Sequence, residues 1–314
     1  MRIVVAFNTN RCKRAAHMKP SFASIVWRDL PLVNFSIYAV GIAHAEITNL
    51  PTQRLDLVPT AIFPMLVPWL IYSLRFKKAS SRERIVGLTL SLGAPLLVML
   101  NLASNHRFVI DHDSLRNIYE YSAILNTVFL MLHARSQSRQ WLKLFLGPCL
   151  LYGMVLENGG IWLGYFSEMN YRFYLGPLPA PIATMSGWVT VFYIITWTVW
   201  EMKKLSSVVK ESALAGAAVA VFAALAFDLQ VDPLACEVGF WKWHPILDQG
   251  WLGVPLLNYA AWTAAVLPFS LLITSREKNK DLAVGEIAGA AHIRWMFKRI
   301  PQTLVFAAIL FLSF

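Results

Sequence analysis

Long apolar segments follow one another along most of the chain, separated by short polar segments. A helix of about 20 apolar residues crosses the hydrocarbon core of a bilayer. By this measure the pattern predicts an all-α, polytopic integral-membrane helical bundle. Its predicted transmembrane helices cover residues 31–47, 58–74, 85–103, 118–133, 141–164, 181–200, 212–229 and 251–274.

A last apolar run at 300–314 is short for a full crossing. It could lie at the interface, tilt, or cross as a ninth helix, and we favour an interfacial or partial position. The same pattern divides the chain into a basic leader at 1–30, a transmembrane domain at 31–274 and a basic segment with a short hydrophobic helix at 275–314. The leader has no apolar core followed by a small-residue cleavage site, so we interpret it as cytoplasmic and not as a signal peptide.

Composition and charge fit a membrane protein. The chain is 57% hydrophobic and 15% charged, whereas soluble domains carry about 25% charged residues. With the N-terminus inside, the basic residues concentrate in the inner segments. Among the 28 Lys and Arg residues, those in outer segments are Arg54, Arg107, Arg116, Arg172 and Lys242. This asymmetry predicts a cytoplasmic N-terminus and a multi-pass protein, and we expect it in a bacterial or archaeal inner membrane. The basic residues that give the chain its net charge of +10 then orient it in the membrane and contact anionic lipid. We therefore expect no nucleic-acid partner.

Acidic residues concentrate on the opposite, outer side. Four of them, Glu46, Glu120, Glu157 and Asp228, lie within or at the ends of apolar runs. A charge at such depth costs about 2.5–3.5 kcal/mol on insertion scales, so a retained acid is a candidate for function.

Two parts of the chain repeat one order of features. An acid near the end of a helix is followed by an aromatic loop, a Leu-Gly-Pro-type turn and a helix that carries Trp. The first copy runs from Glu157 to Trp188, and the second runs from Asp228 to Trp262. Two such outward-facing hairpins would bring their acids together in one pocket.

The strongest candidate acid is Asp228. It shares a helix face with Asp232 if the helix continues that far, but Pro233 disfavours a helical conformation at the residue before it. The alternative is that Asp232 caps a short helix beginning at Pro233. Asp228 lacks this explanation, although it could instead make a structural hydrogen bond inside the bundle. A carboxyl group in a dry, apolar site tends to keep its proton, as a general acid must.

Glu157 lies shortly before two glycines. It is either the partner acid or base, or a residue that reaches the outer interface.

The aromatic residues have a simple explanation and a functional one. Trp and Tyr concentrate at membrane interfaces in any case. The density of Trp241, Trp243 and Trp251 exceeds what an interfacial belt requires. Aromatic faces can stabilise a carbocation or stack on a long isoprenoid chain.

The sequence contains no recognisable metal-binding or cofactor-binding motif. Its three cysteines have no paired spacing, its histidines are scattered, and it contains no dinucleotide, P-loop or nucleophile-elbow motif. We therefore expect no metal and no cofactor.

At two sets of residues the sequence resembles a known family. The downstream set is Asp228-x-x-x-Asp232-Pro233, Gly239-Phe240-Trp241-x-Trp243 and Gly253-Val254-Pro255-x-x-Asn258-x-x-x-Trp262; the upstream set is Glu157-x-Gly159, Tyr174-Leu175-Gly176-Pro177 and Trp188. These motifs resemble the carotenoid biosynthesis membrane protein family, which includes carotenoid 1,2-hydratases of the bisanhydrobacterioruberin or γ-carotene hydratase type. The upstream set departs from the family pattern where Pro-Ala-Pro replaces a Gly-Val-Pro-like turn.

The resemblance implies addition of water to a terminal isoprenoid double bond without a redox cofactor. The substrate would be a lipid-soluble isoprenoid or carotenoid, held in contact with membrane lipid. On chemical grounds Asp228 or Asp232 would donate the proton, and Glu157 or Asn258 would hold the water. The expected substrate-binding residues are Trp241, Trp243, Trp251, Tyr174, Trp188, Asn258, Trp262 and Glu237. A membrane terpene cyclase that uses the same protonation step is the alternative, and a non-enzymatic isoprenoid transporter or binding protein is a further one.

Overall fold

The protein is described from a computed structural model, which covers residues 20–36, 62–103, 112–237, 239–247, 250–251, 253–274 and 290–313. The helices in these ranges are α1 (Phe22–Arg28), α2 (Leu66–Arg75), α3 (Ser81–Ala103), α4 (His112–Gln137), α5 (Arg139–Leu144), α6 (Leu150–Trp162), α7 (Ile182–Leu205), α8 (Ser207–Glu211), α9 (Ala213–Glu237), α10 (Leu256–Thr274) and α11 (Ala290–Leu312). Residues 30–36 are also helical, a 3-10 turn at Phe63–Met65 precedes α2, and a π-helical turn at Phe145–Cys149 joins α5 to α6.

The fold is an all-α membrane bundle. Within the described ranges, five helical segments are long and apolar enough to cross a membrane. They are Arg139–Trp162, Ile182–Leu205, Ala213–Pro233, Leu256–Thr274 and Arg294–Leu312. The first four coincide with predicted spans. Residues 37–47 of the predicted helix at 31–47 and residues 58–61 of the predicted helix at 58–74 lie outside the described residues.

Several predicted helix boundaries are wrong, including the following three. Helix α11 begins at Ala290 and not at 300, so the C-terminal helix is longer than its apolar run. Helix α10 begins at Leu256 and not at 251, because Gly253 has a φ of +82° within a turn that pairs Trp251 with Val254. Helix α9 was expected to end at 229, but it continues through Pro233. Buried packing on both sides of Pro233 compensates for the helix hydrogen bond that proline cannot donate.

Helix α7 lies at the centre of the bundle. It packs against α4, α6 and α9, and α9 packs in turn against α10. Its large side chains are buried around most of its circumference, including Phe192, Tyr193 and Trp197. A helix that is apolar all round is typical of such a central position.

A short antiparallel ribbon ties two loops together at one end of the bundle. Strand β1 (Phe166–Glu168), which follows α6, pairs with strand β2 (Trp241–Trp243), which follows α9. In this register Glu168 lies opposite Trp241. The ribbon therefore fixes the two predicted hairpins relative to each other.

An ion-pair network lies at the other end. Asp29 is fully buried and accepts hydrogen bonds from Arg28, from Arg75 at 3.0 Å and from the Tyr72 hydroxyl at 2.6 Å. Arg75 also bonds Glu201 on α7 at 2.5 Å. Burial raises the pKa of Asp29, but Arg28 and Arg75 together hold it below its ordinary value. This network connects α1, α2 and α7.

Gly153 permits the close contact between α6 and α7. A Cβ atom there would lie 2.6 Å from the Cβ of Trp188, with the Trp188 backbone carbon at 3.4 Å. We expect Gly153→Ala to force the helices apart and to lower thermal stability by about 1–3 kcal/mol, as overpacking usually does. The measurement is thermal unfolding of the detergent-purified protein.

Gly159→Ala is the matched control. Gly159 lies on the same helix, but nothing lies within 4 Å of its added Cβ. We expect this variant to be as stable as the wild type or slightly more stable. Equal losses in both variants would contradict the packing argument.

Candidate functional site

Two carboxyl groups on α9 share one amide donor from α10. Asp228 and Asp232 lie one turn apart on the same face of α9 and are 0% and 2% exposed. The Asn258 side-chain nitrogen donates to Asp228 Oδ2 at 3.1 Å and to Asp232 Oδ2 at 2.6 Å. Trp262, one turn after Asn258, lies close enough to interact with the Asp232 carboxyl group. Two pairs of residues with helical spacing thus face each other across the α9–α10 contact.

The helix corrects the interpretation of Asp232 as a cap. Because α9 runs to Glu237 with Pro233 inside it, Asp232 is a helical residue and not the N-cap of a new helix. The reason for preferring Asp228 over Asp232 therefore disappears. Both acids are buried and both are held by the same amide, so either is placed to act.

A second carboxyl pair lies between α6 and the ribbon. Glu157 on α6 is 4% exposed and accepts a hydrogen bond from the Trp188 indole. Glu168 on β1 accepts from Trp241 Nε1 at 2.7 Å and from the Thr184 hydroxyl at 3.1 Å. The two glutamates also interact directly with each other. Burial, together with the neighbouring Glu157, raises the pKa of Glu168 well above its ordinary value.

A stack of aromatic rings joins the two pairs. Trp188 stacks on Trp262 with ring centroids 4.5 Å apart and planes at 28°. Trp188 holds Glu157, Trp262 lies beside Asp232, and these two acids are near enough to interact electrostatically. Phe192 continues the stack on the other side of Trp188 at 5.6 Å. The four carboxyl groups and the two tryptophans therefore form one site.

The other predicted residues have different surroundings. The Trp243 indole donates to Cys236 Sγ at 3.2 Å, so its N–H supports the loop and not the acids. Trp251 lies in the turn before α10, and its buried indole nitrogen has no hydrogen-bond partner in the described part of the chain. Tyr174 lies at the rim and is 43% exposed. The Glu237 side chain lies outside the described residues.

Glu168 and Thr184 belong to the site although the sequence motifs did not predict them. Glu168 enters the site because β1 pairs with β2, which places it opposite Trp241. The available signal was the alternation of large residues in Phe166-Ser167-Glu168 and Trp241-Lys242-Trp243, which is typical of short strands. Among the described residues, no cluster of three or more His, Cys, Asp or Glu side chains is arranged to hold a metal ion.

The shared amide should be structurally important. We expect Asn258→Ala to lower thermal stability, because both buried carboxyl groups lose a donor, and an unsatisfied buried group costs about 1–3 kcal/mol. Thr263→Ala on the same helix is the control, since the Thr263 hydroxyl bonds its own helix at Tyr259 O. Melting temperatures that fall equally in the two variants would contradict the proposed bridging role of Asn258.

Comparison with known proteins gives one match. A family model described as "Carotenoid biosynthesis protein" matches residues 118–314, which is more than half of the chain and includes both carboxyl pairs. Neither a curated protein nor a solved structure gives a significant match. The resemblance that the motifs indicated is confirmed at this level: the chain belongs to the carotenoid biosynthesis protein family.

Proposed function

We propose that this membrane protein is an enzyme of carotenoid biosynthesis that adds water to a terminal isoprenoid double bond by acid-initiated carbocation chemistry. Family membership supports a role in carotenoid biosynthesis. The observation that carries the chemical proposal is the buried pair of Asp228 and Asp232 bridged by Asn258.

The first step needs an acid that holds a proton away from bulk water. Burial in an apolar bundle and the closeness of the two carboxyl groups both oppose negative charge, so the protonated forms of the two acids are favoured. One of the two aspartic acids would deliver its proton to an alkene carbon. The Asn258 amide would then stabilise the negative charge left behind.

The second step needs surroundings that tolerate a tertiary carbocation. Trp262 lies beside the Asp232 carboxyl group, and the Trp188 ring is stacked on the Trp262 ring. The faces of these rings offer negative electrostatic potential to a cation. Trp241, Trp243, Trp251 and Tyr174 would contact the rest of a long isoprenoid chain from the loops.

The third step is attack by water, and Glu157 is the proposed residue that holds it. Glu157 is held by the Trp188 indole, whose ring stacks on Trp262. Water bound at Glu157 would lie beside the rings proposed to stabilise the cation. Alkene and water combine to an alcohol, so no oxidant or reductant is needed.

The proposed orientation follows from charge. We infer a cytoplasmic N-terminus, about eight crossings and a site near the outer face of a bacterial or archaeal inner membrane. Thr184 at the acid site and Glu201 in the ion-pair network lie 17 residues apart on α7, or about 25 Å along a helix. The acid site and the network that contains Arg28 and Arg75 therefore lie towards opposite ends of the bundle.

A terpene cyclase is the second candidate, and the burial of the acids favours it specifically. Asp228 is 0% and Asp232 2% exposed, so the cation would form in a dry site. An internal alkene of the substrate could then capture the cation in place of water.

A transporter that relays protons is less consistent with the sequence, since residues 185–200 of α7 contain no Asp, Glu, Lys, Arg or His.

Co-expression in a host that makes lycopene tests the proposal. We expect the wild-type chain to convert lycopene to a pigment heavier by one water. Asp228→Asn and Asp232→Asn should each lower this conversion by about 10²-fold or more, the usual contribution of general acid catalysis. The measurement is mass analysis of extracted pigments, normalised to the amount of protein inserted in the membrane.

Asp113→Asn is the control for the same chemical change. Asp113 lies in the first turn of α4 with its side chain 85% exposed, and its loss should leave conversion unchanged. A product of unchanged mass with a new skeleton would favour cyclisation over hydration. Undiminished conversion by both site variants would contradict the assignment of the acid.

A further inference from the structure

We propose that Glu157 and Glu168 work as one proton-accepting pair, in which Glu168 is a positioning residue that acts through Glu157. The proposal rests on the proposed function and adds a second centre to it. The aspartic acid pair gives a proton, and the glutamic acid pair takes one back.

The contacts of Glu168 define its part. Both of its carboxyl oxygens are engaged by donors, Oε1 by Trp241 and Oε2 by Thr184. Glu157 instead accepts from Trp188, whose ring stacks on Trp262 beside the aspartic acid pair. Glu157 is therefore the member closer to the proposed reaction, and Glu168 lies behind it.

The closeness of the two glutamates favours a proton shared between them. A carboxylate has only acceptors, so two neighbouring carboxyl groups hydrogen-bond each other only when one of them is protonated. The raised pKa of Glu168 agrees with a proton held between them. The pair can thus take up or release charge without leaving an isolated carboxylate in a dry site.

The pattern of donors separates the roles of the two pairs. Three side chains donate to the glutamates, namely Trp188, Trp241 and Thr184. Such donors stabilise the charged form that must exist before a proton is accepted. The aspartic acid pair is more deeply buried and relies on Asn258 as its shared donor, which suits a group that gives its proton away.

An unsatisfied hydroxyl group marks a position for water. The Tyr171 hydroxyl is buried and has no hydrogen-bond partner within the described ranges. It lies within electrostatic range of Tyr119, Glu168, Glu157 and Glu120, and its ring is stacked on Phe240 at 4.1 Å. Buried hydroxyl groups are normally satisfied, so a water molecule between Tyr171 and the glutamates would complete the arrangement.

The proton balance closes over one turnover. The aspartic acid pair loses a proton as a C–H bond forms and the neighbouring carbon becomes a cation. The water oxygen forms the C–O bond, and its surplus proton goes to Glu157 and the shared pair. Return of that proton to the aspartic acids restores both centres, with alkene plus water converted to alcohol. If cyclisation occurs instead, the same pair takes the proton from a carbon next to the cation, and a double bond forms again.

The test uses membranes that contain the full chain, with lycopene as the probe. Glu168→Gln should lower kcat by about 10²-fold with little change in KM. The acid limb of its pH profile should shift, because glutamine cannot share or exchange a proton with Glu157. Tyr171→Phe, which keeps the stacked ring, should also lower kcat if the product is an alcohol.

Glu120→Gln is the matched control. Glu120 is also buried, but it accepts hydrogen bonds from the backbone N–H groups of Arg172 and Phe173. Its substitution should change stability and leave the pH profile unaltered. Wild-type kcat in Glu168→Gln would overturn the proposal, and so would a reduced kcat with an unshifted pH profile.

Infrared titration without substrate separates this proposal from the proposed function. If the wild type converts no lycopene, the proposed hydration of this probe fails, but the carbonyl band of protonated carboxyl groups can still be followed against pH. Loss or shift of part of that band in Glu168→Gln, and not in Glu120→Gln, supports the proton-sharing pair. A titration identical to that of the wild type overturns it.

Discussion

The amide of Asn258 is the interaction on which the site depends. It lets α9 carry two carboxyl groups one turn apart inside an apolar bundle. Without a shared donor, two such groups would be among the most costly neighbours that a membrane helix can have. Because Asn258 belongs to α10, the acids are stable only when α9 and α10 are packed together. The chemistry is therefore tied to tertiary structure and not to one helix.

A similar dependence extends through the aromatic stack. Trp188 can reach Glu157 because α6 approaches α7 closely at Gly153, and its ring also stacks on Trp262 of α10. The ribbon then brings Glu168 and Trp241 to the same place from two loops. Each carboxyl group of the site takes a donor from a different element than its own. Such a site is rigid, since moving one helix would leave several buried groups unsatisfied at once.

The sequence predicted much of this arrangement for physical reasons that can be named. Apolar length identified α7, α9 and α10, since the bilayer sets the length of a crossing. The repeated order of acid, aromatic loop and tryptophan helix predicted that Glu157 and Asp228 would converge. In the structure Glu157 lies within electrostatic range of Asp232, one turn from Asp228, and Trp188 stacks on Trp262.

The remaining features depended on contacts between distant residues. Proline rules favoured a helix end before Pro233, but packing on both sides of it continues α9. Glu168 could not be assigned from its neighbours, because its place is set by pairing with Trp241, 73 residues away. Local rules fail at both positions, where acids of the proposed site lie, and this is where natural sequences most often trade local preference for function.

The position of charge along the bundle explains why a one-sided site is the consistent interpretation. Asp29 and Glu201 are neutralised by arginine and lysine at one end. The four site acids lie towards the other end, where their described donors are neutral indole, amide and hydroxyl groups. A carboxyl group beside arginine stays ionised at neutral pH, whereas one held by neutral donors can exchange a proton more readily. The four site acids are thus separated from the basic end by the apolar length of α7. The proposed proton transfer can then remain between the two carboxyl pairs of the site and need not cross the membrane.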